Sequence, residues 1–156
     1  MKKRFLSGLL LPLMLFGGCQ LKQPSVPENA QLSQIQFDRG HGSMWGIQFY
    51  IDVCPTQINR AQYILPGTSE QLDLESTPIT DEQWAQLRDA VDALVPQLEP
   101  AKVSGSRHKL DGTEYRSLTL VWTADGKDTA VQYNWPQTDQ ASQLEHLLES
   151  LIPGMT

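Results

Sequence analysis

Leu118–Tyr133 reads LTLVWTADGKDTAVQY, two apolar-rich runs on either side of Asp125-Gly126. An Asp-Gly pair suits a two-residue hairpin, because both positions must accept positive φ. If Asp125 and Gly126 form the turn, Trp122 faces Thr129, Leu120 faces Val131, and Leu118 faces Tyr133. Leu118, Leu120, Trp122, Val131 and Tyr133 then share one face. A slip of one residue would divide them between core and water, so the pattern itself selects this register. The chain is therefore expected to build an antiparallel sheet with one apolar face.

Working outward, a second Asp-Gly pair, Asp111-Gly112, carries the same signal. It predicts a further hairpin with Val103 opposite Leu120 and Gly105 opposite Leu118, hence a three-stranded meander. Nearer the N-terminus, Ile35 and Phe37 alternate with polar residues. Asp38-Arg39-Gly40-His41-Gly42-Ser43 then reads as a polar, glycine-bearing loop. Trp45, Ile47, Phe49, Ile51 and Val53 follow at every second position, the period of a half-buried strand. Pro55 and Asn59 bound a short connection to a partner strand at Ala61–Leu65. Pro66–Ser69 has turn composition, and Leu72 and Leu74 mark a strand at Gln71–Glu75.

Two stretches switch to helical period. Thr80 followed by Gln83 is a capping-box pattern, Asp81 and Glu82 sit where the helix dipole favours acids, and Trp84, Leu87, Val91, Leu94 and Val95 form one stripe. This predicts a helix over Thr80–Val95, limited by Pro96. Asp139–Ile152 carries Leu144, Leu147, Leu148, Leu151 and Ile152 on one stripe and stops at Pro153-Gly154. The two helices are spelled alike, TDEQWAQLRDAVDALVP against TDQASQLEHLLESLIP, a likeness that shared capping and amphipathicity explain, the alternative being duplication of a sheet-plus-helix unit. The expected fold is α+β: an antiparallel sheet of about six strands in two meanders, its apolar face covered by two amphipathic helices.

The N-terminus answers a different question. Lys2, Lys3 and Arg4 precede an apolar run from Phe5 to Phe16, and Gly17-Gly18 lead into Cys19. That order is the order of a secretory signal peptide. The run has 12 positions, against about 20 for a spanning helix. Leu15-Phe16-Gly17-Gly18-Cys19 resembles the lipobox of bacterial lipoprotein precursors, with Phe16 standing where a leucine is usual. The resemblance implies a diacylglyceryl group on the Cys19 sulfur, cleavage between Gly18 and Cys19, and a mature chain that begins with the lipidated cysteine. Single acyl chains hold proteins only marginally, so two or more are needed for stable anchoring. It also implies an extracytoplasmic place: the outer membrane in a two-membrane cell, since Gln20 is not the aspartate that resembles a retention signal, and otherwise the outer face of the cell membrane. The expected organisation is a signal peptide at 1–18, the lipidated cysteine and a flexible tether at 19–33, and one globular domain at 34–156. The tether, QLKQPSVPENAQLS after Cys19, would span on the order of 20 Å as a coil.

The composition, 40% hydrophobic and 19% charged, is that of a globular chain. Cleavage after Gly18 would leave 9 Lys+Arg against 18 Asp+Glu, a net charge near −9 in place of −6. Such a surface repels nucleic acid and anionic headgroups, so no nucleic-acid partner is expected and the membrane is reached only through the lipid. With Cys19 lipidated, Cys54 is the remaining thiol. Flanked by Val53 and Pro55, it reads as a small buried hydrophobe, the other reading of an odd cysteine being a reactive thiol or an intermolecular partner.

Residues that could carry chemistry are few. His41, His108 and His146 lack the short spacings of metal ligands, such as HxxxH or CxxC. Ser43 is outside any Gly-x-Ser-x-Gly elbow, and Gly40, Gly42 and Gly46 fit neither nucleotide-binding fingerprint. Of Trp45, Trp84, Trp122 and Trp135, the first three take core positions by periodicity. Only Trp135, ahead of Pro136, falls where a ring could serve a sugar. No catalytic, cofactor-binding or metal residue is assigned, and Cys19 is the one modification site. The reading favours a non-enzymatic envelope binding or accessory protein, with an envelope protein as its partner. The alternative is a small extracytoplasmic enzyme or ligand-binding protein using the His41 loop.

Overall fold

The computed structural model describes residues 24–41, 47–64, 71–101 and 114–152. The lipobox, Trp45, His108 and Asp111-Gly112 lie outside them. The strands are β1 (Gln31–His41), β2 (Ile47–Cys54), β3 (Gln57–Ile64), β4 (Gln71–Pro78), β5 (Glu99–Pro100), β6 (Glu114–Ala124) and β7 (Lys127–Asn134); the helices are α1 (Asp81–Leu94) and α2 (Asp139–Ser150). All pairings are antiparallel, in one seven-stranded sheet of order β4-β3-β2-β1-β6-β7-β5. The fold is thus α+β, and the described residues supply seven strands against the approximate six expected. Among the described residues no helix is long and apolar enough to cross a membrane.

The β6–β7 hairpin has the register read from sequence: Trp122 opposite Thr129, Leu120 opposite Val131 and Leu118 opposite Tyr133. Asp125 (φ 51°) and Gly126 (φ 72°) make the turn, the pair of positive φ values that a type I′ turn requires. The meander expected from Asp111-Gly112 is corrected. Leu120 faces Ile35 and Leu118 faces Phe37 on the other edge of β6, so the places assigned to Val103 and Gly105 belong to β1. The reason is length and pattern: β1 and β6 each run 11 residues, and their alternating apolar residues match along the ladder. The two expected meanders are fused at this pairing into one sheet.

Three boundaries also differ. The sheet takes in Gln31–Ser33, where Leu32 is buried opposite Trp122, although the sequence leaves these residues in the tether. Asp38–His41 continue β1 as a strand and are not a loop. The β2–β3 connection is a tight turn at Pro55-Thr56 with Cys54 opposite Gln57, and Pro suits the second position of such a turn. Ile79 N–H donates to the Thr56 carbonyl at 3.2 Å, fastening the end of β4 to that turn.

Thr80 caps α1 with a full capping box. Its hydroxyl accepts from Gln83 N–H at 3.2 Å, and Gln83 Oε1 accepts from Thr80 N–H at 2.8 Å. Pro96 sits in the 3₁₀ turn that ends the helix. Thr138 caps α2 alone, accepting from Ala141 N–H at 3.3 Å, because the residue in the box position is Ala141. Trp84, Leu87, Val91 and Leu94 of α1 and Ala141, Leu144 and Leu148 of α2 share one buried cluster with Ile35, Phe37, Ile51, Val53, Ile58, Leu118, Leu120 and Val131 of the sheet.

Candidate functional site

Period two carries the core face of β1 and β6 beyond its apolar residues. After Ile35 and Phe37 comes Arg39; before Leu120 and Leu118 comes Arg116; and Arg39 stands directly opposite Arg116. Like charges in that position repel. Helix α2 supplies the counter-charge, since Glu145 and Glu149 are four residues apart and project from one side. Arg39 Nη1 donates to Glu145 Oε1 and to Glu149 Oε1, both at 3.1 Å. Arg116 Nε lies 3.3 Å from the same Glu145 oxygen, and the Glu145 side chain is only 13% exposed. Two arginines and two glutamates thus balance at one end of the sheet, beside α2.

Next to this cluster the strands part. Ser117 with Asn134 is the last β6–β7 pair, after which Trp135-Pro136-Gln137 leads to the Thr138 cap. The wedge is an open cleft of about 560 Å³ lined by Tyr115, Arg116, Asn134, Trp135 and Gln137. The Trp135 ring is braced against Phe37, with centroids 4.7 Å apart and planes tilted by 53°. Trp135 therefore belongs both to the edge of the core and to the cleft wall.

On the opposite face of β6, Tyr115 lies over Gly40, its partner across the ladder. A Cβ at Gly40 would come within 2.6–2.8 Å of the phenol end of the ring, so only glycine leaves Tyr115 its seat. Burial and, secondarily, the Asp38 carboxylate push the Tyr115 hydroxyl up to about 12. Both factors disfavour the phenolate, so this group stays protonated at ordinary pH.

The residues singled out by sequence do not converge there. His41 ends β1 opposite Glu114, and Gly42 and Ser43 lie outside the described residues. His146 is 83% exposed on α2, its Nδ1 3.9 Å from Glu149. Cys54 is half-buried at the β2–β3 turn, its sulfur 3.6 Å from the Thr56 hydroxyl. Burial pushes that thiol up, but hydrogen bonds from the Thr56 backbone, its hydroxyl and the Gln57 backbone outweigh it, and the net shift is downward. Among the described residues no group of three or more His, Cys, Asp or Glu could hold a metal ion. Sequence reasoning missed Arg39, Arg116, Glu145 and Glu149. The available signal was two arginines in register with core residues, and two acids beside the apolar stripe of a helix.

No family model matches the chain, and no curated protein or solved structure matches it.

Proposed function

We propose that this chain is a bacterial lipoprotein, held at the membrane through lipid on Cys19 and working outside the cytoplasm as a non-enzymatic binding or accessory protein. The observation that carries the reading is the order Lys2-Lys3-Arg4, Phe5–Phe16, Gly17-Gly18-Cys19. A short apolar run after positive charge exports a chain, and a cysteine after small residues offers the sulfur for acylation. In this reading the two helices form the cover of the sheet's apolar face. The other face, with Gln34, Gln36, Asp38 and Asp52, is left to solvent and partners. Support for that division is the shared cluster of helix and strand side chains. On the polar face the Gln34 amide donates to Asp52 at 2.6 Å.

Growth on radiolabelled palmitate tests the reading. The unaltered chain should take up label and fractionate with membranes, and Cys19→Ala should lose both properties. An unlabelled wild-type chain recovered from the cytosol would overturn it.

A further inference from the structure

We propose that the cleft between the start of β6 and the β7–α2 connection binds a short, uncharged saccharide. It deepens the proposed binding role but does not depend on the lipid at Cys19.

Three observations lead there. The cleft, about 560 Å³, falls within the roughly 300–1,000 Å³ range of small-ligand sites. Such sites are mostly apolar, whereas the described lining of this one includes the exposed Asn134 and Gln137 side chains, with Arg116 beside them. An apolar ligand would strip water from the two amides and give them nothing in return. A polyol meets them, because amides and hydroxyls each donate and accept, as sugar hydroxyls do.

The second observation concerns charge. Among the described residues on the wall Arg116 is the charged one, and Glu145 lies 3.3 Å from its Nε. An anionic ligand would compete with a carboxylate that α2 holds in place, while a neutral one leaves the pair intact. The third is the aromatic wall. Trp135 is partly buried and fixed against Phe37, so a ring is presented without the entropy cost of ordering it on binding. An indole edge or face offers contact to the C–H surface of a sugar while the amides take its hydroxyls.

The test uses the purified full-length chain in detergent, titrated with N,N′-diacetylchitobiose, cellobiose and maltose. Tryptophan fluorescence and saturation-transfer NMR are the readouts. At least one disaccharide should bind saturably with Kd at or below about 1 mM, or roughly −4 kcal/mol. Asn134→Ala/Gln137→Ala should weaken that binding at least tenfold. Both residues are exposed, so an unchanged melting temperature is expected and separates lost binding from lost fold. Trp135→Phe, which keeps an aromatic ring against Phe37, should bind with most of the fluorescence change gone. Absence of saturation with all three sugars up to about 20 mM, or binding indifferent to the double substitution, would overturn the proposal. Either result leaves the palmitate experiment untouched.

Discussion

Two neighbouring zones of β1, β6 and α2 solve the same packing problem by different means. At the centre, Phe37 faces Leu118 and Ile35 faces Leu120, with Leu144 and Leu148 of α2 in the same cluster. One step further along the same face Arg39 meets Arg116, and α2 contributes Glu145 and Glu149. The centre is dry: Ile35, Leu118, Leu120, Leu144 and Leu148 are each 0% exposed. At the charged end, Arg39 keeps 37% of its side-chain surface. Apolar burial is non-directional and strong, about 25 cal/mol per Å². Partly exposed ion pairs contribute little to stability but demand fixed partners. The centre therefore holds the fold together, while the charged end adds fixed pairings between α2 and the strand ends beside the cleft.

The sharpest way to break this contrast is to cut into the centre. Leu120→Ala removes a side chain flanked by Ile35 and Val131 and should cost about 2–5 kcal/mol. Urea unfolding should show a lower midpoint at unchanged slope. A loss under about 1 kcal/mol would mean the centre repacks easily and is no drier in effect than the end.

Gly40→Ala strikes the seam between the zones from the opposite face. The new Cβ would overlap the Tyr115 ring, and overpacking of this kind costs about 1–3 kcal/mol. The prediction has an internal control: Tyr115→Ala should abolish the penalty, so the two changes together should be less harmful than their sum. Additive effects would show that Tyr115 is not what excludes a side chain at position 40.

What could be read from sequence divides along the same line. The β6–β7 hairpin was legible because its signal is local: two turn residues at positive φ and apolar residues two apart. The α1 cap was legible for the same reason, Thr80 and Gln83 being three residues apart. The β1–β6 pairing was not, since it joins residues about eighty positions apart and nothing near Ile35 names Leu120 as its partner. A local rule, Asp-Gly as a hairpin, therefore assigned β6's free edge to Val103 and Gly105. The charged cluster and the cleft depend on that long-range register, so both stayed out of view with it. Trp135 was recognised as an edge residue because Pro136 interrupts the strand pattern, but its neighbours were not.

At the charged end, Glu145→Gln should cost less than either of those changes, about 1 kcal/mol, because the arginines it serves remain partly solvated. It leaves Arg39 facing Arg116 with Glu149 as the carboxylate that α2 still supplies. The loss should shrink in 1 M salt, where screening acts within about 3 Å. A penalty that is indifferent to salt would show that Glu145 acts through packing and not charge, and the contrast between the zones would fail at that residue.

The smallest effect lies in alkali. Tyr115 holds its proton up to about 12 in the folded chain, against about 10 when unfolded. The folded state thus binds this proton more tightly, and the stabilisation is fully present below pH 10. As pH rises from 10 towards 12 the unfolded chain loses the proton first, which favours unfolding, and the contribution is lost through that interval. Tyr133 is also shifted upward, by burial first, with the Trp122 indole pulling the other way, so the wild-type curve contains more than one tyrosine. Comparison with Tyr115→Phe isolates the first. The stability difference between the two proteins should be level up to about pH 10 and then move against the wild type towards pH 12. Curves that stay parallel throughout would show that the phenol over Gly40 ionises as freely as one in water, and that the polar side of the strand end is wetter than its geometry implies.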